Sequence, residues 1–222
     1  MENELNGVIV LNKPTGMNSM SAVNRVKHIL NVKKAGHLGT LDPFATGVLP
    51  IAIGKATKLF DSHLKDGKTY RAIFKFGVET DTFDSDGKIL KEENVSISKQ
   101  QVESVLGRMV GVIDQMPPAF SAKKIDGKRA YELAREGKEV VLNPKTITIY
   151  SFDLVSELDT NTFLFEIRCS SGTYIRSCCR DLAKELNTIA VMVGLVRTQS
   201  GSYDISNSIL LDEVTEEMLQ KI

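Results

Sequence analysis

Apolar residues recur along this chain with two periods, and each change of period marks a new element. Residues 7–14, GVIVLNKP, form a short apolar run stopped by Pro14, the pattern of a buried strand. Ala22, Val23, Val26, Ile29 and Leu30 then return at helical spacing, with Ser19 or Ser21 placed to cap that helix. TYRAIFKFGV alternates strictly: Tyr70, Ala72, Phe74, Phe76 and Val78 share one face, Arg71 and Lys75 the other, which predicts a half-buried strand. SKQQVESVLGRM opens with a Ser98–Gln101 capping box and sets Val102, Val105, Leu106 and Met109 on one helical stripe. DGKRAYELAREG predicts a short helix closed by Gly137. TITIYSFDLV and TFLFEIRCS predict strands, the second alternating through Phe163, Phe165, Ile167 and Cys169. YIRSCCRDLAKELN and the terminal DEVTEEMLQKI predict helices. Strands and helices mix without a repeated βαβ rhythm, so the fold class predicted is α+β with a largely antiparallel sheet.

Composition narrows the setting. A chain of 222 residues suits one large domain or two small ones, with no repeat or low-complexity tract and no clear linker. The formal net charge is zero, which excludes a histone-like polycation but leaves a local basic face open. Residues 5–41 carry Lys13, Arg25, Lys27, Lys33 and Lys34 and no acid; residues 121–138 are also net basic, and residues 79–114 are net acidic. Such segments polarise a surface or simply solvate helix faces. Cys169, Cys178 and Cys179 make neither a disulfide framework nor a zinc spacing, which points to a reducing compartment. MENELNGVIV lacks a signal-peptide pattern and no segment reaches a membrane span, so a cytoplasmic location without membrane attachment is expected.

Two familiar motifs nearly form. GVLPIAIGKAT resembles a phosphate loop, but Leu49 stands where the first glycine belongs and Ala56 follows Lys55 in place of a hydroxyl. TFDSDGKILKEE resembles a calcium loop, with Asp84, Asp86, Gly87 and Glu93 in register, but it begins with Thr82 and follows a strand, so a polar hairpin is expected. No metal is expected. The stretch GHLGTLDPFATGVLP, residues 36–50, is more unusual. Gly36, Gly39, Pro43 and Gly47 break it, and Asp42 is its single acid. Asp42 is either a turn former before proline or a lone catalytic carboxylate. His37 beside Gly36 is either a structural loop residue or a ring that approaches a ligand. A glycosidase would need a second carboxylate that nothing in the sequence places beside Asp42.

Read together, distant segments decide more. GHLGTLDPFATGVLPIAIGKATK resembles the aspartate motif of TruB-type tRNA pseudouridine synthases. LNKPTGMNS at 11–19, KTYRA at 68–72, GVETDTFDSDG at 77–87, PPAFSAKKIDGKRAYELAREG at 117–137, CSSGTYIRSCCRDLAKEL at 169–186 and VGLVRTQSGSY at 193–203 resemble the family's other blocks, in order. The resemblance implies a pseudouridine synthase core with a mixed sheet, residues 1–212, carrying an RNA-gripping insertion at about 117–145. Residues 213–222 would be a C-terminal helix, without the complete PUA domain that many relatives carry.

The activity implied is isomerisation of the T-loop uridine at position 55 of tRNA to pseudouridine, by base flipping and transfer of the glycosidic bond from N1 to C5. No cofactor and no protein partner are implied, and a monomer is expected. Asp42 matches the catalytic aspartate, with attack on C1′, addition to the ring and action as a base left open. Arg176 matches the arginine that pairs with it; a neighbouring cation keeps a carboxylate ionised. Tyr70 matches the tyrosine that stacks on the target uracil, although as a core strand residue it would look the same. For substrate binding the resemblance implies His37, Tyr174 and Leu195, with Lys13, Lys68, Gly39 and Thr40. For RNA contact it implies Lys123, Lys124, Lys128, Arg129 and Arg197. Leu38 stands where relatives often carry threonine. An RNA-binding module without turnover and a nucleoside hydrolase are the competing readings, the second lacking its second carboxylate.

Overall fold

The computed structural model describes residues 5–63, 66–120, 124–125, 128–129 and 142–221. The chain divides into two compact units, residues 1–71 with 194–222, and residues 72–193. The strands β4 (Lys68–Phe76) and β12 (Ala190–Ser200) each begin in one unit and end in the other.

In the first unit, β1 (Gly7–Lys13) lies antiparallel to β3 (Thr46–Ile53) over its whole length, from Gly7 opposite Ile53 to Lys13 opposite Gly47. On the far side of β3, β12 runs parallel to it through Val196 and Arg197, and β2 (Ala35–His37) adds antiparallel to its later half. The short β13 (Tyr203–Asp204) folds back on β12. One parallel pair among antiparallel ones makes the sheet mixed. Gly47 is required where β3 meets β12: its φ is +102°, and a Cβ there would collide with the carbonyl oxygen of Arg197. The buried side chains of Val8, Leu38, Ala52 and Ala56 cluster with Tyr203 against them.

Helix α1 (Ser19–Ile29) buries Ala22, Val23 and Val26, as its spacing predicts, and Leu30 just after it, while Ile29 is exposed. Its cap differs from expectation. Asn18, not Ser19 or Ser21, accepts the Ser21 backbone N–H, because the Ser19 hydroxyl is engaged elsewhere. A single turn, α2 (Phe60–His63), ends the segment after β3. The phosphate-loop lookalike is strand β3 followed by a 3-10 turn over Gly54–Leu59, not a phosphate cradle. The expected C-terminal helix is also absent. Leu211–Glu213 and Glu216–Met218 are isolated 3-10 turns, and the segment instead serves the open edge of β1. Ile209 exchanges backbone hydrogen bonds with Val10 and Asn12, and Gln220 does so with Val8. Each bond satisfies a strand-edge group that a helix would have left open.

In the second unit the order is β4, β11 (Thr162–Cys169), β10 (Lys145–Asp159), β7 (Gly111–Gln115). β10 is antiparallel to both its neighbours. The alternation read from the sequence holds through Phe74, Phe76, Phe163, Phe165, Ile167 and Cys169, which are buried, whereas Val78, expected on the same face, falls beyond the end of β4; Phe152, Phe74 and Phe165 pack ring against ring. Helix α3 (Lys99–Leu106) begins with the predicted capping box, and α4 (Ile175–Glu185) buries Ile175, Cys179 and Leu182. The calcium-loop lookalike is a hairpin, as expected, joining β5 (Val78–Thr80) to β6 (Ile89–Glu92). Within 117–145, β8 (Lys124–Ile125) pairs with β9 (Lys128–Arg129), so the helix expected from residue 126 does not begin there; residues 130–141 lie outside the described residues. Among the described residues no helix is long and apolar enough to cross a membrane.

Candidate active site around Asp42

Asp42 sits at the tip of the breaker-rich loop between β2 and β3, partly exposed, and every backbone carbonyl from Gly39 to Phe44 accepts a hydrogen bond. Arg197 spans the first two: Nη2 donates to Gly39 O at 3.1 Å and Nη1 to Thr40 O at 3.0 Å, while Nε donates to Val48 O at 2.8 Å. Ser19 Oγ donates to Leu41 O at 2.8 Å and accepts from Leu41 N–H at 2.9 Å. Asp42 O accepts from Ala45 N–H at 3.1 Å and Pro43 O from Gly16 N–H at 2.8 Å. Lys13 Nζ adds a second bond to Pro43 O at 3.1 Å, and Thr15 Oγ1 donates to Phe44 O at 3.0 Å. A loop broken by Gly39 and Pro43 has few backbone pairs of its own, so side chains from α1, β1 and β12 supply them. The result is one carboxylate on a backbone with little freedom.

Two expected contacts change role here. Arg197, expected at the RNA, is 1% exposed, and its donors are directed at two loop carbonyls, Gly39 O and Thr40 O, and at Val48 O in β3. Lys13, expected at a phosphate, is fully buried, with Nζ donating to Pro14 O and Met17 O at 2.7 Å besides Pro43 O. Both are positioning groups in this structure. The signal available in the sequence was their place in strand alternation, but their acceptors lie on other segments and cannot be read from spacing. Ser19 was read only as a cap, and its bond to Leu41 has no sequence signature at all.

Burial and charge act on the basic groups of this unit. Burial pushes Lys13 down to about 8 from the usual 10.5; the Asp42 carboxylate opposes that shift and the Arg197 cation adds to it. Burial, helped by Arg197, holds His37 below its ordinary value, and its Nδ1 is buried with no hydrogen-bond partner. The ring is therefore neutral at neutral pH. Lys68 is buried and donates to Asp66 O at 2.7 Å. Tyr70 and Leu195 are each 7% exposed, Gly39 is buried and Thr40 exposed.

A second array in this unit places His63 Nδ1 2.9 Å from Asp66 and Nε2 3.3 Å from Ser200 Oγ. The order serine, histidine, carboxylate is that of a hydrolase triad, but Ser200 is fully buried and cannot meet a substrate. Burial, opposed by Asp66, lowers the histidine's pKa. The array fastens the turn at Gly201, where a Cβ would meet both Asp66 and His63.

In the second unit, Arg176 opens α4 at 6% exposure. Nη1 donates to Thr82 O at 3.2 Å and lies 3.6 Å from the Asp84 carboxylate, which is itself buried and accepts from Thr82 Oγ1 at 2.6 Å. In the sequence Asp84 belongs to the calcium-loop lookalike and to the block at 77–87, with no sign that it would meet Arg176. A cation at a helix start is unfavourable to the dipole, and this carboxylate offsets it. Tyr174 precedes the helix, its backbone N–H donating to Gln115 Oε1 at 2.8 Å. Of the expected RNA contacts on the insertion, Lys124, Lys128 and Arg129 belong to the β8–β9 hairpin, and Lys123 lies outside the described residues.

Comparison of the chain with known proteins finds the following likenesses. The model of the TruB family pseudouridylate synthase N-terminal domain matches residues 27–175. The protein called tRNA pseudouridine synthase B from Clostridium perfringens is 44% identical over 218 residues, which are 98% of this chain and 74% of that protein. Its namesake from Mesoplasma florum is 45% identical over 218 residues, 97% of this chain and 76% of that one. Among solved structures, one chain of a Cbf5-Nop10-Gar1 complex superposes with a TM-score of 0.73 at 32% identity, covering 93% of this chain and 53% of that chain. A structure of an H/ACA RNP bound to a substrate RNA containing 2′-deoxyuridine gives a TM-score of 0.70 at 29% identity, over 93% of this chain and 51% of that chain.

Proposed function

The chain belongs to the TruB family of pseudouridylate synthases, and on that footing we propose that it converts the T-loop uridine at position 55 of tRNA to pseudouridine with Asp42 as its catalytic carboxylate. The name tRNA pseudouridine synthase B, borne by relatives 41–45% identical over nearly the whole chain, supports the substrate class. The observation that carries the assignment of Asp42 is the loop itself: six consecutive carbonyls are bound, and a single carboxylate stands among them.

The reaction breaks the N1–C1′ bond of the flipped uridine and forms a C5–C1′ bond; N1 gains a proton and C5 loses one. Nothing is hydrolysed and no leaving group departs, so one carboxylate meets the demand that a glycosidase meets with two. In this reading Arg176 keeps Asp42 ionised, and Tyr70 offers a flat floor to the extruded base. Neutral His37, Tyr174, Leu195, Lys68, Gly39 and Thr40 border the nucleotide. Lys124, Lys128 and Arg129, with Lys123, grip backbone phosphates, which orient RNA without reading its sequence. Residues 1–212 form the catalytic domain.

Release of tritium from 5-tritiated uridine in a T-stem-loop RNA tests the proposal. Release by the wild type that disappears in Asp42→Asn is the expected result. Tight binding without release would leave an RNA-binding module, and free uracil would make the protein a hydrolase.

A further inference from the structure

We infer that Ser19 is a positioning residue that sets the direction of the Asp42 carboxylate by fixing the peptide planes before it; the inference rests on the assignment of Asp42 above. Ser19 is the first residue of α1, next to the N-cap position, whose side chain ordinarily takes up the helix's free N–H groups. That duty falls to Asn18, whose side chain accepts from Ser21 N–H. The Ser19 hydroxyl, 4% exposed, points away from the helix and makes both a donor and an acceptor bond to one residue, Leu41.

The two bonds act on different peptide planes. The Leu41 carbonyl shares a plane with the Asp42 N–H, so the 2.8 Å bond from Ser19 Oγ fixes the plane that determines φ of Asp42. The Leu41 N–H shares a plane with the Thr40 carbonyl, and that plane is held at one end by Ser19 and at the other by Arg197. On the other side, the Asp42 carbonyl is taken by Ala45 N–H, which fixes the plane that determines ψ. With both planes held, the Cα–Cβ bond of Asp42 has one direction. Removing the hydroxyl releases the plane on the N-terminal side and leaves the other bonds in place. Displacement of a reacting group by a fraction of an ångström lowers turnover steeply, whereas RNA binding does not depend on it.

The test compares three variants in single-turnover and steady-state assays on the T-stem-loop RNA. Ser19→Ala is expected to lower kcat at least tenfold, with KM and RNA affinity within twofold of wild type. Ser19→Thr keeps a hydroxyl on the same carbon and is expected to restore most of that turnover. Val26→Ala, in the same helix and fully buried without a bond to the loop, is expected to lower the urea midpoint while leaving kcat unchanged. The inference is overturned if Ser19→Ala keeps a wild-type kcat, if folded Ser19→Thr is as slow as Ser19→Ala, or if Val26→Ala slows turnover in proportion to lost stability. Turnover that survives Asp42→Asn would overturn the Asp42 assignment as well, which separates the two failures.

Discussion

Among the described residues two arginines are buried, and they are used in opposite ways. Arg197 directs three nitrogens at the uncharged carbonyls of Gly39, Thr40 and Val48, so it works as a bracket whose value lies in its shape. Arg176 meets one carbonyl and the carboxylate of Asp84, so its charge is answered by a charge. The bracket still has a field, and it is felt by Lys13 and His37, both of which it pushes down. A guanidinium placed for its geometry thus adds to the burial that lowers its neighbours' pKa values, while the other is set against a carboxylate.

The largest expected effect separates these uses directly. Arg176→Ala should lower turnover by on the order of a thousandfold, about 4 kcal/mol of transition-state stabilisation, if it serves Asp42 as proposed. RNA affinity should change little, since a buried guanidinium offers no phosphate contact. Near-normal turnover with a folded protein would break the contrast at its functional end. Next comes Arg197→Met, which takes their donor from the carbonyls of Gly39, Thr40 and Val48 and should cost about 3 kcal/mol in urea unfolding. Arg197→Lys should recover only part of it, because one ammonium cannot reach all three oxygens in the guanidinium's geometry. Full recovery would show that charge, not shape, is what the loop needs.

What could be read in the sequence follows from how local each cause is. The strand through Phe74 and Phe76, its partner through Phe163 and Phe165, and the Ser98–Gln101 capping box depend on neighbours within a few residues, and all three appear as expected. The C-terminal segment was misread because its apolar spacing suits a helix, while its backbone is claimed by Val8, Val10 and Asn12 nearly two hundred residues earlier. Arg197, which the resemblance placed at the RNA, differs for the same reason: its three acceptors lie about 150 residues upstream, in the Asp42 loop and at Val48 of β3. At the site, Asp42 stood out as the single acid among breakers, a local signal. The groups that hold it, Ser19, Lys13 and Arg197, come from three other segments and are apparent only once folded.

The smaller predictions sharpen the comparison by following the field of Arg197. Lys13 titrates near 8 in the fold and near 10.5 when unfolded, so between those values the unfolded chain holds a proton that the folded chain has released. The stability of the wild type relative to Lys13→Met should therefore rise with pH across that window. Repeating the comparison in an Arg197→Met background removes one of the charges that depress Lys13, and the window should narrow from its lower end. An unchanged window would mean that burial alone sets Lys13. The smallest effect concerns His37, whose folded value lies below 6.5 because of burial and then Arg197. As pH falls below about 6.5 the unfolded chain takes up a proton first, so stability should decline on the acid side. His37→Gln should flatten that decline, and Arg197→Met should shift it to lower pH-sensitivity by letting the folded histidine protonate more readily. Both are measurable as differences between urea midpoints at pH 5 and pH 7. An acid limb that Arg197→Met leaves untouched would mean that burial alone lowers His37.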